Sequence, residues 1–437
     1  MDKLERIGFY TMSENRAEHS SAASNLKRVE IILNDTCNFN CTYCRGLKPE
    51  LQKTLSLETV KHYIDICADD KVENIRFSGG EPTLHPNIKD IIKYTKTKSI
   101  NRIAVSTNGS ASFELYKDLI QLGVNDFSIS LDACCSETGT KMLGGIKNKW
   151  ERVIENIEKL SKLTYVTVGV VLTQDNLPEL KKTIELAHLK GVADIRIIPA
   201  AQFGNTLADL QIDDIIKEKH PILKYRLDNI SKNTPIRGLG LNDNHRCPLV
   251  LDDIAIAGEY HFPCIIYIRE KGKAIGNVCP KMRLQRKEWA EKHNTYLDPI
   301  CRENCLDVCR EYNNKHLQYH SKIKLEKLDS SLFNWESWEN GGLFSLNIAN
   351  RYNDILDHKN RHLIKEHAVG WCDGERTVCR PKTNQIAVMF LKEDRFFWTH
   401  LMKSEFHEIF AVKQAGESAR RPGRPSYILG NAPATDF

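Results

Sequence analysis

Three cysteines stand within eight positions of the sequence, in the stretch LNDTCNFNCTYC. They are Cys37, Cys41 and Cys44, and thiols this close together serve as metal ligands or as a redox pair. A structural zinc needs a fourth ligand, and no nearby Cys or His supplies one at a usual spacing. A thioredoxin-like pair accounts only for Cys41 and Cys44. Three thiolates on a cubane iron–sulfur cluster leave one iron open, and an open iron can bind a substrate or a cofactor.

A second group of six cysteines lies farther along the chain. Four thiolates complete one cubane cluster, and eight are needed for two, so six predict one complete cluster with spare thiols or two with an open iron. We favour one cluster, held by Cys247, Cys264 and two of the three cysteines between 301 and 309. Cys279 is then a spare thiol or a further ligand. Zinc stays open as an alternative, because a structural zinc uses the same four thiolates. The six are Cys247, Cys264, Cys279, Cys301, Cys305 and Cys309.

Predicted strands and helices alternate from about residue 28 to 235, and they must position the first cysteine group. Short β-branched runs predict six strands, at RVEIIL, NIRFSGG, RIAVSTNG, DFSISLDA, YVTVGVVLT and ADIRIIPA. Helical patterns lie between them, with Ser56 and Ser112 as N-caps and Gly123 and Gly191 at helix C-caps. Consecutive βαβ units form a parallel sheet, and six units are fewer than the eight of a closed barrel. The sequence therefore predicts an α/β fold, a partial (β/α)6 barrel with its chemistry at the C-terminal strand ends.

The regular alternation stops after this segment. The stretch QIAVMFLKEDRFFWTHL predicts a hairpin that turns at Lys392–Asp394, and the pattern KSEFHEIF predicts a helix after it. The C-terminal residues are rich in Gly, Pro and Ala and predict a flexible basic tail. The expected divisions are an N-terminal lead (1–27), the barrel (28–235), a cysteine-rich auxiliary domain (236–325), a small α+β region of unknown role (326–415) and the tail (416–437).

The composition excludes some classes of protein. The chain has 62 Lys and Arg against 57 Asp and Glu, a net charge of +5 that neither demands nor excludes a nucleic-acid partner. The N-terminal stretch lacks the apolar core of a secretory signal, and no apolar run approaches the length of a membrane span. Fourteen cysteines without a secretion signal indicate metal or redox chemistry rather than disulfides. We therefore expect a protein of the reducing cytoplasm with no membrane partner.

The first cysteine group resembles the signature of radical S-adenosylmethionine (SAM) enzymes. CxxxCxxC follows the first predicted strand, with Tyr43 before the last cysteine. SGGEP (78–82) follows the second strand, STNG (106–109) follows the third, and SLD (130–132) ends the fourth. Asn176 follows the fifth strand. The motifs match the family in order and spacing.

This resemblance implies a role for each motif. The three cysteines would hold a [4Fe–4S] cluster whose open iron is chelated by the amine and carboxylate of SAM. Gly79 and Gly80, followed by Glu81 and Pro82, would let the backbone approach the methionine end and accept from its ammonium, and Tyr43 would lie against the adenine. The other candidate cofactor contacts are Ser106, Thr107, Asn108, Ser130, Asp132 and Asn176. The last three also suit strand-end caps.

The resemblance also implies the reaction. One-electron reduction of the cluster would cleave SAM to methionine and a 5′-deoxyadenosyl radical, which abstracts hydrogen from an unactivated carbon. The protein would then be an oxidoreductase or modifying enzyme that takes electrons from a donor such as flavodoxin or ferredoxin. Cys134 and Cys135 follow SLD at the mouth of the sheet, where a thiol would donate a hydrogen atom to a substrate radical. The alternative is that they are small residues packing a loop.

The second cysteine group resembles the auxiliary-cluster extension called SPASM, or its shorter form, twitch. CPLVLDDIAIAGEYHFPC, AIGNV and CRENCLDVC carry the likeness. The full SPASM pattern has seven cysteines with a CxxC pair, whereas this chain has six and leaves three residues between the last ones. The likeness implies an auxiliary [4Fe–4S] cluster that takes an electron from the substrate radical or binds the substrate directly.

Three classes of substrate are compatible with these features. Many relatives with a SPASM or twitch extension modify a peptide or protein side chain, which makes a peptide the favoured substrate. The tail RRPGRPS resembles a minor-groove-binding AT-hook, except that Pro422 stands where the hook has arginine, and Phe396, Phe397 and Trp398 could stack on bases. A nucleic-acid base or nucleotide is therefore the alternative, although a basic tail is more often simply solvated. A small-molecule dehydrogenase or epimerase is the third class.

Overall fold

The computed structural model describes residues 11, 16–201 and 210–326, together with four short strands nearer the C-terminus. Its contacts divide the chain into two compact units. The first comprises Met1–Leu239 and His245–Asn313, and the second comprises Gly240–Asn244 and Asn314–Phe437. The predicted cysteine sites both lie in the first unit.

One sheet of nine strands forms the centre of the first unit, in the order β6-β5-β4-β3-β2-β1-β7-β8-β9. Neighbouring strands from β1 to β6 are parallel, β7 is parallel to β1 on its other side, and β8 and β9 are antiparallel. This is the predicted partial barrel, extended beyond its first strand. The strands are β1 (Arg28–Ile32), β2 (Asn74–Ser78), β3 (Arg102–Thr107), β4 (Asp126–Ser130), β5 (Tyr165–Leu172), β6 (Asp194–Pro199), β7 (Asp253–Ala257), β8 (Tyr260–Phe262) and β9 (Gly276–Asn277).

Helices connect the parallel strands, and two of them are capped by the serines that the sequence predicts. The Oγ of Ser56 accepts from the Thr59 N–H at 3.1 Å, and the Oγ of Ser112 accepts from the Leu115 N–H at 3.3 Å. Gly123 ends one helix with φ at +129°. The helices are α1 (Leu57–Asp69), α2 (Ile88–Lys96), α3 (Phe113–Leu122), α4 (Ser136–Met142), α5 (Trp150–Ser161), α6 (Leu180–Leu189), α7 (Asp214–Lys219), α8 (Pro221–Ser231), α9 (Ile265–Arg269), α10 (Met282–Lys292), α11 (Pro299–Asn304) and α12 (Asp307–Glu326).

The two faces of the sheet differ in character. Residues such as Val29 and Phe77 are fully buried in the main apolar core that the strands share with the helices. The alternate residues Glu30, Arg76 and Arg196 lie on the other face, which we call the inner face, because successive side chains of a strand point in opposite directions. The inner face is therefore polar at the middle of the sheet.

The pairing of β7 with β1 joins the two predicted domains. Arg28 lies opposite Asp253 and Ile32 lies opposite Ala257, so the chain after residue 236 continues the sheet of the barrel. A second neighbour for β1 satisfies the backbone groups that an edge strand would leave unpaired. The predicted boundary at residue 235 therefore does not separate two sheets.

In the second unit, four strands are described: β10 (Gly370–Cys372), β11 (Thr377–Cys379), β12 (Gln385–Lys392) and β13 (Arg395–Met402). β12 and β13 pair antiparallel as far as Lys392 opposite Arg395, which confirms the predicted hairpin. The helix predicted at KSEFHEIF, the side chains of the aromatic run and the basic tail lie outside the described residues.

None of the helices in the described ranges is both long enough and apolar enough to cross a membrane.

Candidate iron–sulfur and cofactor site

The first cysteine group occupies the loop after β1. Cys37 and Cys44 are exposed and Cys41 is half-buried. Burial raises the pKa of the Cys37 thiol, and it raises that of Cys41 to about 12. The N–H of Phe39 donates to the Cys37 Sγ at 3.4 Å, and backbone N–H groups that point at sulfur also stabilise cluster-bound thiolates. Three accessible thiols on one loop fit the donor set of a cluster, whose binding would displace their protons.

The GGEP loop after β2 packs directly on the cysteine loop. The Gly80 N–H donates to the Asn34 carbonyl and the Glu81 N–H to the Thr36 carbonyl, both at 2.8 Å. A Cβ on Gly79 would stand 2.3 Å from the Asn34 Oδ1, and one on Gly80 would stand 2.4 Å from the Thr36 carbonyl oxygen. The contact between the two loops therefore requires both glycines. This reason differs from the one expected from the sequence, which was a close approach of the backbone to methionine.

The Glu81 side chain joins the loops that follow β2 and β3. It is fully buried, and its carboxylate accepts from the Thr83 N–H and hydroxyl, the Thr107 hydroxyl at 2.7 Å and the Asn108 N–H at 2.7 Å. Burial raises the pKa of Glu81, and these hydrogen bonds oppose the rise. Since these four donors are protein groups, the carboxylate positions the loops, and the predicted contact with the SAM ammonium rests on the backbone carbonyls. Pro82 begins the short 3₁₀ turn that follows.

The three polar residues of STNG point to different places. Asn108 reaches the cysteine loop: its Nδ2 donates to the Asn38 Oδ1 at 2.8 Å and lies 3.9 Å from the Cys37 Sγ. Thr107 is buried and bonded within the protein. The Ser106 Oγ accepts from Arg76 at 2.9 Å on the inner face. Asn108 is therefore the residue of this motif that the structure brings to the cysteines.

The ends of β4 and β5 are tied together behind the cysteine loop. The Tyr43 hydroxyl donates to the Asp132 Oδ2 at 2.5 Å, and the Val171 N–H donates to the Asp132 Oδ1 at 2.7 Å. Burial raises the pKa of Asp132 to about 6, and these hydrogen bonds oppose the rise. Asn176 donates to the carbonyls of Asp132 and Val171, both at 2.8 Å, so it acts as a strand-end cap. Ser130 is exposed at the end of β4.

Cys134 and Cys135 meet a carboxylate that the sequence did not indicate. The Cys134 Sγ lies 3.4 Å from the Glu179 Oε2 and the Cys135 Sγ lies 3.9 Å from it. Burial, followed by the hydrogen bond to Glu179, raises the pKa of the Cys134 thiol to about 11. A thiol that keeps its proton at neutral pH suits a hydrogen-atom donor, and that role stays a prediction.

Five cysteines of the second group converge in the first unit. All five thiols are half-buried, and burial is the main cause that raises their pKa values. Cys247 and Cys264 lie close enough to the remaining three thiols to raise the pKa of each of them further. Cys279, after β9, is not among the neighbours that contribute. The converging thiols are Cys247, Cys264, Cys301, Cys305 and Cys309.

Two further side chains of types that can ligate a metal lie beside Cys301. The His293 Nε2 lies 2.9 Å from the Asp298 Oδ2, and their ligand atoms fall within 4.8 Å of the Cys301 sulfur. The Tyr267 hydroxyl also donates to the Asp298 Oδ2, at 2.6 Å. Sequence reasoning missed both residues, although the spacing of Asp298 three residues before Cys301 was available as a signal.

Two contacts lead from α9 back to the first site. The Arg269 Nη2 donates to the Gly79 carbonyl at 3.0 Å. Glu270 forms an ion pair with Arg45, the residue that follows Cys44. Neither contact is predicted from the sequence.

The family comparison agrees with this geometry. A family model described as the radical SAM superfamily matches residues 31–187. The matched range contains the cysteine loop, GGEP, STNG, SLD and Asn176. Residues 31–187 therefore match the family whose motifs the sequence resembles.

Two curated relatives show how far the similarity extends. The GTP 3′,8-cyclase of Vibrio parahaemolyticus serotype O3:K6 (strain RIMD 2210633) is 31% identical over 205 residues, which cover 44% of this chain and 58% of that protein. The AdoMet-dependent heme synthase of Methanosarcina barkeri (strain Fusaro / DSM 804) is 32% identical over 159 residues, which cover 36% of this chain and 45% of that protein. The chain thus spans about half the length of these relatives.

Solved structures with a similar fold include Streptococcus suis SuiB bound to precursor peptide SuiA, with 14% sequence identity and a TM-score of 0.44. That likeness covers 63% of this chain and 66% of SuiB. Native anSMEcpe with bound AdoMet is 14% identical with a TM-score of 0.45, covering 68% of this chain and 95% of the other.

Proposed function

We propose that this chain is a radical SAM enzyme that holds its cluster on Cys37, Cys41 and Cys44, binds SAM beside the GGEP loop and removes a hydrogen atom from its substrate. The observation that carries the proposal is that two separate loops meet the cysteine loop. Gly80 donates to the Asn34 carbonyl at 2.8 Å, and Asn108 donates to the Asn38 side chain at 2.8 Å. When bound, the cluster supplies the electron that cleaves SAM to methionine and a 5′-deoxyadenosyl radical.

The residues of the chain contribute orientation. The carbonyls of the glycine pair are the proposed acceptors for the ammonium of methionine, and Glu81 holds that loop against the one carrying Asn108. Tyr43 is kept in place by its hydroxyl bond to Asp132, which leaves its ring as the surface proposed for the adenine. Each group is fixed by a neighbour before SAM arrives, so binding costs little reorganisation.

Iron counting tests the site. After anaerobic reconstitution with iron and sulfide, we expect about 8 irons per chain, falling to about 4 when the three cysteines become alanine, as one radical-forming and one auxiliary cubane require. About 4 falling to none would leave no auxiliary cluster. If the triple variant lost no iron, the proposed site would be wrong.

The second cysteine group is proposed to hold the auxiliary [4Fe–4S] cluster of a SPASM-like or twitch-like region. Tetrahedral zinc with Zn–S bonds of 2.3 Å holds its thiolates about 3.8 Å apart. Among the described residues, no three of the five converging sulfur atoms lie within 4.8 Å of one another. The wider spacing favours a cubane, whose thiolates bind separate irons.

A peptide or protein side chain remains the proposed substrate, and a cytoplasmic flavodoxin or ferredoxin remains the proposed electron donor. The support for the peptide is the resemblance of the second cysteine group to SPASM and twitch extensions. Loss of product when Cys247 and Cys264 are replaced, while uncoupled SAM cleavage continues, would support an auxiliary cluster on the substrate side.

The inner face favours a second candidate, a substrate that carries an anionic group, such as a nucleotide. Arg76 and Arg196 lie at the middle of β2 and β6, and Arg196 donates to the Ser128 hydroxyl across the face. Burial, followed by the charge of Arg76, lowers the pKa of Arg196 to about 10. Two neighbouring guanidinium groups bind phosphate or carboxylate well. Relatives named GTP 3′,8-cyclase agree with this candidate.

Titration calorimetry with GTP and with inorganic pyrophosphate tests this candidate. We expect Arg196→Gln to weaken binding of either anion by about tenfold, because a charge-assisted hydrogen bond is lost. Arg152→Gln, at an exposed position of α5, is the matched control. If the wild-type protein binds neither anion, the nucleotide candidate is wrong and the peptide stays.

A further inference from the structure

The short helix α9 lies between the two cysteine groups. It begins directly after Cys264, which is its N-cap residue, and it ends at Arg269. Its side chain Ile268 is fully buried in a small apolar cluster with Ile32 at the end of β1 and Leu47 just beyond the cysteine loop. The helix therefore packs on the same backbone that carries Cys37, Cys41 and Cys44.

The C-terminal end of α9 makes two polar contacts with the SAM site. The Arg269 guanidinium donates to the Gly79 carbonyl at 3.0 Å, and this contact is half-buried. A carbonyl oxygen has two lone pairs, so one stays available for the ammonium of methionine. Charge-assisted hydrogen bonds of this kind are shorter and stronger than neutral ones.

Glu270, the residue that follows α9, contacts the cysteine loop. Its partner there is Arg45, which directly follows Cys44. Glu270 forms an ion pair with Arg45, and both side chains are about four-fifths buried, at 22% and 19% exposed. The pair fixes the residue after Cys44 to the residue after α9.

We propose that Arg269 and Glu270 are positioning residues for SAM, and that α9 links the SAM site to the auxiliary site through Cys264. The inference rests on the proposed function, because it takes GGEP as the SAM loop and Cys264 as an auxiliary ligand. An auxiliary metal bound by Cys264 would fix the start of α9. Arg269, at the end of the helix, would fix the Gly79 carbonyl that is proposed to meet methionine. Linkage then requires that SAM and the auxiliary metal each raise the affinity for the other by the same factor.

The first experiment compares variants without any cofactor. Hydrogen exchange at the Gly80 and Glu81 amides of the metal-free protein reports how firmly the loop is held against the cysteine loop. We expect faster exchange in Arg269→Ala, by about tenfold for the loss of one charged hydrogen bond, and an intermediate rate in Arg269→Lys, which keeps a donor. Arg152→Ala is the control and leaves both amides unchanged.

The second experiment measures SAM affinity of the reconstituted protein by equilibrium dialysis. Arg269→Ala should weaken SAM binding by about tenfold, with Arg269→Lys between it and the wild type. Cys264→Ser should weaken binding in the wild-type background and have no further effect in the Arg269→Ala background, because both changes break one link. The change in the electron paramagnetic resonance spectrum of the reduced cluster on adding SAM follows the same order.

The outcomes separate this inference from the function on which it rests. If the wild type binds SAM and Arg269→Ala binds it equally well with unchanged amide exchange, the inference is overturned. Additive effects of Cys264→Ser and Arg269→Ala would overturn the link through α9. If the wild type itself binds no SAM, the proposed function fails, while the exchange measurement still decides whether Arg269 holds the loop.

Discussion

At the scale of single residues, the sequence indicates candidate site residues more readily than it indicates which neighbours they contact. GGEP is recognisable in the sequence, yet the reason for its glycines is the backbone of Asn34 and Thr36, less than 3 Å from where a Cβ would stand. Glu81 is likewise a candidate from the sequence, and its carboxylate accepts from Thr107 and Asn108. Such roles depend on which loops meet, and spacing along one strand-loop unit does not contain that information.

Glu81→Gln should separate positioning from cofactor contact. The amide nitrogen of Gln would face a donor such as the Asn108 N–H, so one buried group loses its partner and the protein loses about 1–3 kcal/mol of stability. Thermal unfolding of the metal-free protein checks this, with Glu58→Gln on the exposed side of α1 as the control. Unchanged stability together with weaker SAM binding would show that the carboxylate acts on SAM instead.

At the scale of elements, the periodic part of the chain was predictable and the continuation of the sheet was not. The six β-branched runs and the caps at Ser56 and Ser112 are local signals, and the structure confirms them. The pairing of β7 with β1 joins Asp253 to Arg28, which are 225 residues apart, and only the whole fold brings them together. The expected boundary at 235 was drawn where the local pattern changed.

The packing of α8 against β6 predicts a pH dependence. His220 is buried, with its Nδ1 3.2 Å from the Ala193 carbonyl and its Nε2 3.0 Å from the His188 Nδ1. Burial lowers the pKa of His220 to about 4, so between about 6.5 and 4 the unfolded chain binds more protons. Its contribution to stability is therefore present above pH 6.5 and is lost as the pH falls through this window.

We expect His220→Gln to remove about 2 kcal/mol of the difference in unfolding free energy between pH 7 and pH 5. Urea denaturation of both proteins at each pH measures it, and His62→Gln at an exposed position of α1 is the control. The comparison with the variant is needed because burial raises the pKa of Asp194 to about 6, which acts in the opposite direction in the same range. An equal pH dependence in wild type and variant would contradict the prediction.

At the scale of the whole molecule, the two cysteine groups belong to one compact unit. Gly79 and Arg269 are 190 residues apart in the sequence, yet the Arg269 Nη2 lies 3.0 Å from the Gly79 carbonyl oxygen, so an element outside the matched range 31–187 contacts the GGEP loop. Nothing in the spacing of IIYIREKG marks its arginine as a functional residue, whereas the number and clustering of the cysteines are visible in the sequence. Sequence reasoning therefore found both groups and missed the helix that lies between them.

The convergence of five thiols predicts a pattern for single substitutions. A cubane takes four thiolates, so four of the five alanine variants should leave the auxiliary cluster one ligand short and lower the iron content below that of the wild type, and one should keep it. Cys301 is the expected exception, because its sulfur lies within 4.8 Å of ligand atoms of His293 and Asp298, a spacing suited to a single ion. Cys279→Ala is the control and should keep all its iron, since Cys279 is not among the converging thiols. Loss of iron in all five variants would instead indicate a cluster that needs every thiol. Loss of iron in none of them would indicate that these cysteines hold no cluster.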